Sequence, residues 1–197
     1  MRRAIFLDRD GTVSLDTGYM TDPSAYQVFE FTGPAVRRIN EAGMLAVLIT
    51  NQSGIERGYF TEATVQAFHD ALAMELARWN AHLDGVYFCP HRPETECDCR
   101  KPRPGMAERA ARDLGIDLAG SFIVGDRYLD VETGYAAGMR TALVRTGHGV
   151  EELEAHRDSV YQPHLVADNL LGAVEAILAL CGEESSSSET RTIHDET

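Results

Sequence analysis

Apolar residues fall in short unbroken runs, each stopped by a cluster of polar and turn-forming residues. Ala4-Ile5-Phe6-Leu7 stops at Asp8-Arg9-Asp10-Gly11, the pattern of a strand buried on both faces that ends in a polar loop. Leu45-Ala46-Val47-Leu48-Ile49 stops in the same way at Thr50-Asn51-Gln52-Ser53-Gly54, and Phe122-Ile123-Val124 at Gly125-Asp126. Val86-Tyr87-Phe88, Thr141-Ala142-Leu143-Val144 and Leu165-Val166-Ala167 read as further strands. Between these runs the period changes. Gly33-Pro34 opens a helix with proline at its first position, carries Val36, Ile39 and Ala42 on one side, and closes at Gly43. Thr61 caps a helix whose Val65, Phe68, Leu72, Leu76 and Trp79 recur at steps of three and four. Another helix spans Pro104-Gly105 to Leu114-Gly115, and a last one lies near Leu170–Leu180.

Strands alternating with helices of these lengths predict an α/β fold built on a doubly wound, mostly parallel sheet. The stretches Thr12–Leu45 and Gly54–Cys89 each have room for about one helix and a loop, so no large cap domain is expected. From Glu183 onward the sole large aliphatic residue is Ile193, after the run Ser185–Ser188. The expected organisation is one folded domain over residues 1–182 and a disordered tail over 183–197.

The length of 197 residues is that of a single domain, and 44% apolar residues suffice for a sizeable core. With 18 basic against 31 acidic residues the formal charge is −13, which argues against a nucleic-acid partner or an anionic membrane surface. A small phosphate ester stays open as a ligand, since a few local cations or a metal can outweigh the global field. No apolar run reaches the ~18–20 residues of a membrane span. Met1-Arg2-Arg3 begins like a secretion signal, but the apolar stretch behind it stops at Asp8. A cytoplasmic monomer is expected.

Three of the four cysteines, Cys89, Cys97 and Cys99, fall within eleven residues, with His91 between them. Three thiolates and one imidazole make a closed tetrahedral set, the composition of a structural Zn²⁺ site. The bland reading, reduced bystander cysteines, fits such local crowding poorly. Because Arg100 and Lys101 follow at once, the zinc is expected to fix a loop that positions both cations. Cys181 reads as a buried bystander, and His69, His82, His148, His156, His164 and His194 as scattered surface residues.

In doubly wound sheets, ligands bind beyond the carboxyl ends of the strands. Those ends carry Asp8 and Asp10, then Thr50 and Asn51, then Asp126 with Asp130 close behind. Taken singly, each has a structural explanation: Asp10-Gly11 as a turn, Thr50-Asn51 as a helix cap, Lys101 as a solvated charge. Brought together, the carboxylates would repel one another unless a hard cation bridged them, and oxygen ligands of this kind suit Mg²⁺. A phosphoryl group could then lie between the metal, Lys101 and the Thr50 hydroxyl.

At this point the chain also resembles a family. Phe6-Leu7-Asp8-Arg9-Asp10-Gly11-Thr12, Thr50-Asn51-Gln52-Ser53-Gly54, Lys101-Pro102 and Gly125-Asp126-Arg127-Tyr128-Leu129-Asp130 are similar, in order and spacing, to the four motifs of the haloacid dehalogenase superfamily, from about Ala4 to about Leu180. More narrowly, Asn51-Gln52-Ser53-Gly54-Ile55 with Arg57-Gly58, and Cys89-Pro90-His91 through Lys101-Pro102, resemble the heptose-bisphosphate phosphatases, a pattern shared in part with the histidinol-phosphate phosphatases.

The resemblance implies a haloacid dehalogenase-like Rossmannoid fold and removal of a phosphate from a small phosphorylated sugar. It makes Asp8 the nucleophile that forms an aspartyl-phosphate, and Asp10 the general acid and then the general base. It assigns Mg²⁺ to Asp8, the carbonyl of Asp10, and Asp126. Thr50 and Lys101 would neutralise and orient the transferring phosphoryl oxygens. Asp16, Thr17, Gly18 and Tyr19 match a substrate loop, with Asn51, Gln52, Ser53 and Arg100 as further substrate contacts. Arg127, with Arg100, would hold a second phosphate.

Gly125-Asp126-Arg127 departs from the Gly-Asp-Lys of several heptose-bisphosphate phosphatases and is also found in histidinol-phosphate phosphatases, so histidinol phosphate stays open as the substrate. A non-enzymatic alternative is a receiver-like module that carries a signal as phospho-aspartate. A receiver's acidic pair lies on its first strand and its phosphorylated aspartate on a later one, however, and it has no use for a zinc loop.

Overall fold

A computed structural model describes the backbone of residues 1–192 and the side chains of residues 1–183. Six strands, β1 (Ala4–Leu7), β2 (Leu45–Asn51), β3 (Gly85–Cys89), β4 (Phe122–Gly125), β5 (Arg140–Val144) and β6 (Leu165–Ala167), pair in parallel in the order β3-β2-β1-β4-β5-β6. They alternate with α1 (Thr32–Glu41), α2 (Glu62–Ala77), α3 (Gly105–Leu114), α4 (Tyr128–Ala137), α5 (Gly149–Ala155) and α6 (Leu170–Thr192).

The alternating side chains of each strand explain the unbroken apolar runs. On one face Ile5, Leu7, Leu48 and Val124 pack with Val36 and Ile39 of α1, Leu72 and Leu76 of α2, and Val174 and Ile177 of α6. On the other, Phe6, Val47, Ile49 and Ile123 pack with Met106, Ala107 and Ala110 of α3. Each of these larger side chains contributes about 1.5–3 kcal/mol on full burial. Phe6 pairs with Val47 on one side and Ile123 on the other. The chain thus winds outward from β1 in both directions, and a crevice opens beyond the carboxyl end of β1. Between β1 and α1 there is only a loop with one 3₁₀ turn, Pro23–Ala25, and between β2 and β3 only α2 with its flanking turns. Among the described residues no large cap covers the sheet's carboxyl edge.

Every strand and helix expected from the pattern is present, and two helices were not foreseen. α4 buries Tyr128, Asp130, Val131, Thr133 and Gly134, a mixed set without an apolar stripe. Its Gly134 lies so close to the sheet that a Cβ there would stand 2.2 Å from Thr141 Cγ2. α5 has seven residues, too few to set a period. α1 begins at Thr32, ahead of Pro34, and the Thr32 hydroxyl donates to the Val13 carbonyl. α6 runs on past Leu180 to Thr192; the rest of the expected tail, residues 193–197 with Ile193 and His194, lies outside the described residues. His69 corrects the expectation of a surface histidine. It is buried on α2, its ring 6.1 Å from that of Phe88. Cys181 is buried, as expected. No described helix is long and apolar enough to cross a membrane.

Candidate active site

The ends of β1 and β2 and the loop after the cysteines converge on a cleft of about 330 Å³. Asp8, Asp10, Asp16, Gly18, Tyr19, Thr50, Asn51, Gln52, Ser53, Arg100, Lys101 and Arg127 all line it, joined by Arg9, Met20 and Phe60. Of the expected substrate loop, Thr17 alone does not.

Lys101 is the electrostatic centre. Its Nζ lies 2.7 Å from Asp8 Oδ1 and 2.6 Å from Asp130 Oδ1, and donates to the Ile49 carbonyl at 3.1 Å. Burial opposes its charge, but Asp130 and Asp8 outweigh burial and push its pKa up. The loop holding it is fastened by Asn51, whose side-chain amide donates to the Lys101 carbonyl and accepts from the Lys101 N–H, both at 3.1 Å. Asn51, expected to touch substrate, thus spends its amide on the chain that carries the lysine.

Asp8, Asp126 and Asp130 offer oxygens within 4.8 Å of one another. Burial and the charge of Asp8 push the Asp126 carboxyl up to about 7. Burial raises Asp130 to about 8 against the pull of Lys101, and its Oδ2 is buried without a partner. Clustered, desolvated carboxylates of this kind have the donor chemistry of a hard divalent cation site, so the residues fit Mg²⁺.

The backbone around Asp126 is built to approach it closely. Gly11 (φ +83°) and Gly147 (φ +56°) would each place a Cβ 2.1 Å from Asp126 Oδ2. Only glycine tolerates both the positive φ and the proximity. The His148 N–H donates to Asp126 Oδ2 at 2.8 Å, and Thr146 Oγ1 ties this loop to the Gly11 carbonyl. From α5, Glu152 accepts from the Tyr128 N–H at 3.0 Å, capping α4 just behind Asp126. His148 was expected as a bystander. Its ring is half-exposed, but its backbone belongs to the site.

Gln52 donates to Asp10 Oδ2 at 3.0 Å and to Thr50 Oγ1 at 2.8 Å, joining the ends of β1 and β2. Burial raises the Asp10 carboxyl above the usual range, with Arg9 pulling the other way. At the rim, Asp16 Oδ2 stands 3.7 Å from Arg127 Nη2 and 3.4 Å from His148 Nε2, and the Tyr19 and Ser53 hydroxyls are 3.4 Å apart.

Cys89, His91, Cys97 and Cys99 come together as the spacing implied. The Cys89–Cys97 and Cys97–Cys99 sulfurs are 3.8 and 3.7 Å apart, Cys89–Cys99 3.0 Å, and His91 Nδ1 is 3.5 and 3.3 Å from Cys89 and Cys99. A tetrahedral zinc with bonds of about 2.3 Å separates its sulfurs by about 3.8 Å, so this set could hold the ion. Arg100 Nη1 donates to the His91 carbonyl at 3.0 Å, which couples the cluster to the cleft. Glu56, from the turn after β2, accepts from the Arg92 N–H and the Thr95 hydroxyl, bracing the loop from outside.

Sequence reasoning placed Asp130 among the strand-end carboxylates without giving it a role, and missed Arg9, Glu56 and the Thr146–Gly149 loop as parts of the site. Asp130 had a signal, four residues after Asp126 near the start of a helix, which returns its side chain toward the strand end. The others act through contacts remote in sequence or through the backbone.

A parallel sheet in this order, with an aspartate pair leaving its central strand and a buried lysine reaching back to the first of them, defines a hydrolase of the haloacid dehalogenase class. The HAD-hydrolase-like family model matches residues 98–173. Over 157 residues the chain is 43% identical to the D-glycero-beta-D-manno-heptose-1,7-bisphosphate 7-phosphatase of Haemophilus ducreyi, covering 76% of this chain and 86% of that protein. The protein of the same name from Yersinia pestis is 45% identical over 166 residues, 80% and 88% of the two chains. The crystal structure of D,D-heptose 1,7-bisphosphate phosphatase from B. bronchiseptica, complexed with magnesium and phosphate, superposes with a TM-score of 0.83 at 36% identity, over 90% of this chain and 98% of that one. The chain belongs to the D-glycero-beta-D-manno-heptose-1,7-bisphosphate 7-phosphatase family of HAD-like hydrolases, and it is a phosphoric monoester hydrolase.

Proposed function

We propose that this chain removes the 7-phosphate of D-glycero-D-manno-heptose 1,7-bisphosphate through an aspartyl-phosphate on Asp8, as a cytoplasmic monomer with Mg²⁺ in the carboxylate cluster and zinc in the cysteine loop. The observation that carries the reading is the Lys101 ammonium, buried and 2.7 Å from Asp8 Oδ1. It holds one oxygen of the nucleophile and gives a transferring phosphoryl group a fixed cation, while the Thr50 hydroxyl offers a donor beside it. Mg²⁺ held by Asp8, Asp126 and the Asp10 carbonyl would supply further screening of the phosphoryl charge. Asp8 attacks phosphorus in line and Asp10 protonates the departing sugar alkoxide; Asp10 then takes a proton from the water that releases phosphate.

Recognition of the second phosphate falls to Arg100 and Arg127, which both line the cleft. Histidinol phosphate would bring an amine and an imidazole to the same rim, where two guanidinium groups repel cations. The heptose bisphosphate is therefore expected to have at least about tenfold the kcat/KM of histidinol phosphate, the worth of about one net charge pair at a partly solvated rim. Arg100→Ala should narrow that gap more than it slows a simple monophosphate. Steady-state kinetics on both compounds decide it, and a higher kcat/KM for histidinol phosphate would overturn the substrate assignment.

The zinc loop supports a separate expectation. Protein prepared without chelators should carry about one zinc per chain, bound with the strength of closed thiolate sites, ~10–16 kcal/mol at neutral pH. Cys97→Ser should weaken that binding and raise KM through Arg100 and Lys101. Metal analysis that finds no zinc would refute the site.

A further inference from the structure

Arg9 stands between the two aspartates of β1's end and has no part in the reading above, yet its side chain is only 7% exposed. Its guanidinium grips both oxygens of Asp10, Nε to Oδ1 at 3.0 Å and Nη2 to Oδ2 at 2.9 Å, while its Cζ lies 5.6 Å from the centre of the Phe68 ring. Tyr26 packs edge-on against the same ring at 5.4 Å, and His69 is the next residue on α2.

This is a poor arrangement for stability alone. Nη1 of Arg9 is buried without a partner, and so are the Tyr26 hydroxyl and His69 Nε2. Each such group costs about 1–3 kcal/mol in desolvation, and buried ion pairs are often replaceable by apolar side chains without loss. What the pair does achieve is geometric. A two-pronged guanidinium–carboxylate contact fixes the plane of the carboxylate, which a single point charge does not. Gln52 holds Asp10 Oδ2 from the other side, and is itself anchored through its N–H to the Cys89 carbonyl at 2.7 Å. Asp10 is therefore oriented by a fork behind it and an amide beside it.

We infer that Arg9 is the positioning residue of the acid–base group: its fork sets the plane of the Asp10 carboxyl relative to Asp8, and proton transfer to the leaving group depends on that plane. The inference rests on the reading of Asp10 as the acid that protonates the leaving alkoxide. It predicts a loss that depends on the leaving group, because a group that departs readily as an anion needs no placed proton.

The test measures leaving-group release in single turnovers, with the heptose bisphosphate as an alkyl ester and p-nitrophenyl phosphate as an activated aryl ester. Arg9→Lys keeps a cation beside Asp10 but loses the fork; Arg9→Met removes both. Release from the alkyl ester should fall about 10²-fold in each, the scale of a misplaced catalytic group, and release from the aryl ester by no more than a few-fold. Combined with Asp10→Asn, Arg9→Met should add nothing further. Equal slowing of both esters by Arg9→Lys, or additive losses in the double variant, would overturn the inference. If Arg9→Met does not give folded protein by thermal melting, Arg9→Lys alone decides. Asp10→Asn separates the two levels. Should it discriminate between the esters while Arg9→Lys does not, the positioning role falls and the acid assignment stands; should it slow both esters equally, both fall.

Discussion

Asp8→Asn is expected to lower turnover by at least ~10⁴-fold, the scale of losing a nucleophile, while the melting temperature holds or rises. The two halves of this result have different causes. The amide cannot attack phosphorus, and it removes the charge that Lys101 Nζ meets at 2.7 Å. The fold, however, loses little. Lys101 keeps Asp130 at 2.6 Å and the Ile49 carbonyl at 3.1 Å, and Asp126 and Asp130 are relieved of a charge that raises both of their pKa values. Asparagine preserves the shape, so the packing of β1 is untouched. Rate measurements with Mg²⁺ supplied test the first half, and thermal melts on metal-free protein test the second. Turnover within tenfold of wild type would refute the covalent mechanism. A clear fall in melting temperature would show that Asp8 contributes more attraction than repulsion.

Lys101→Met should invert that pattern, damaging stability as well as chemistry. The lysine side chain is 1% exposed and sits between two carboxylates, with Asp126 close by. Methionine fills the space but leaves buried negative charges uncompensated, which costs about 3–5 kcal/mol and lowers the melting temperature by roughly 6–20 °C in a chain of this size. Activity should fall at least ~10²-fold with the loss of a fixed cation at the phosphoryl group. Adding Asp130→Asn removes one stranded charge and should recover part of the stability without recovering activity. A single variant that melts at the wild-type temperature would refute the account of Lys101 as the counter-ion of the cluster.

Much of this was readable in the chain because the strands are buried on both faces. A run such as Leu45–Ile49 has no polar position to blur its ends, so the first polar residue after it, Thr50, already marks the carboxyl edge of the sheet. Asp8, Thr50 and Asp126 were legible for this reason, and the cysteine cluster because its four residues lie close together in sequence. α4 was not legible, since a helix pressed between the sheet and the site needs small and polar residues where an amphipathic helix carries leucine. Arg9 read as a loop residue because nothing local shows that Phe68, fifty-nine positions later, would take it in. Asn51 was visible as a strand-end polar residue, but its hold on the Lys101 backbone was not. Its pairing with the Lys101 backbone depends on a chain that returns only after α2, β3 and the cysteine loop.

That pairing has a consequence for how such a molecule can change. Through its two bonds to Asn51 the Lys101 backbone is stitched to β2 almost as another strand would be, so the Asp8 carboxylate, the Thr50 hydroxyl and the Lys101 ammonium share the stiffness of the sheet and move as one body. Arg127 and Asp16 are joined at the rim by side-chain contacts alone, and Arg100 is held by one hydrogen bond to the cysteine loop. If those outer residues choose the ester, as proposed, their drift would retune which ester is accepted while the inner cluster stays intact, so selectivity would be separable from chemistry and free to diversify first.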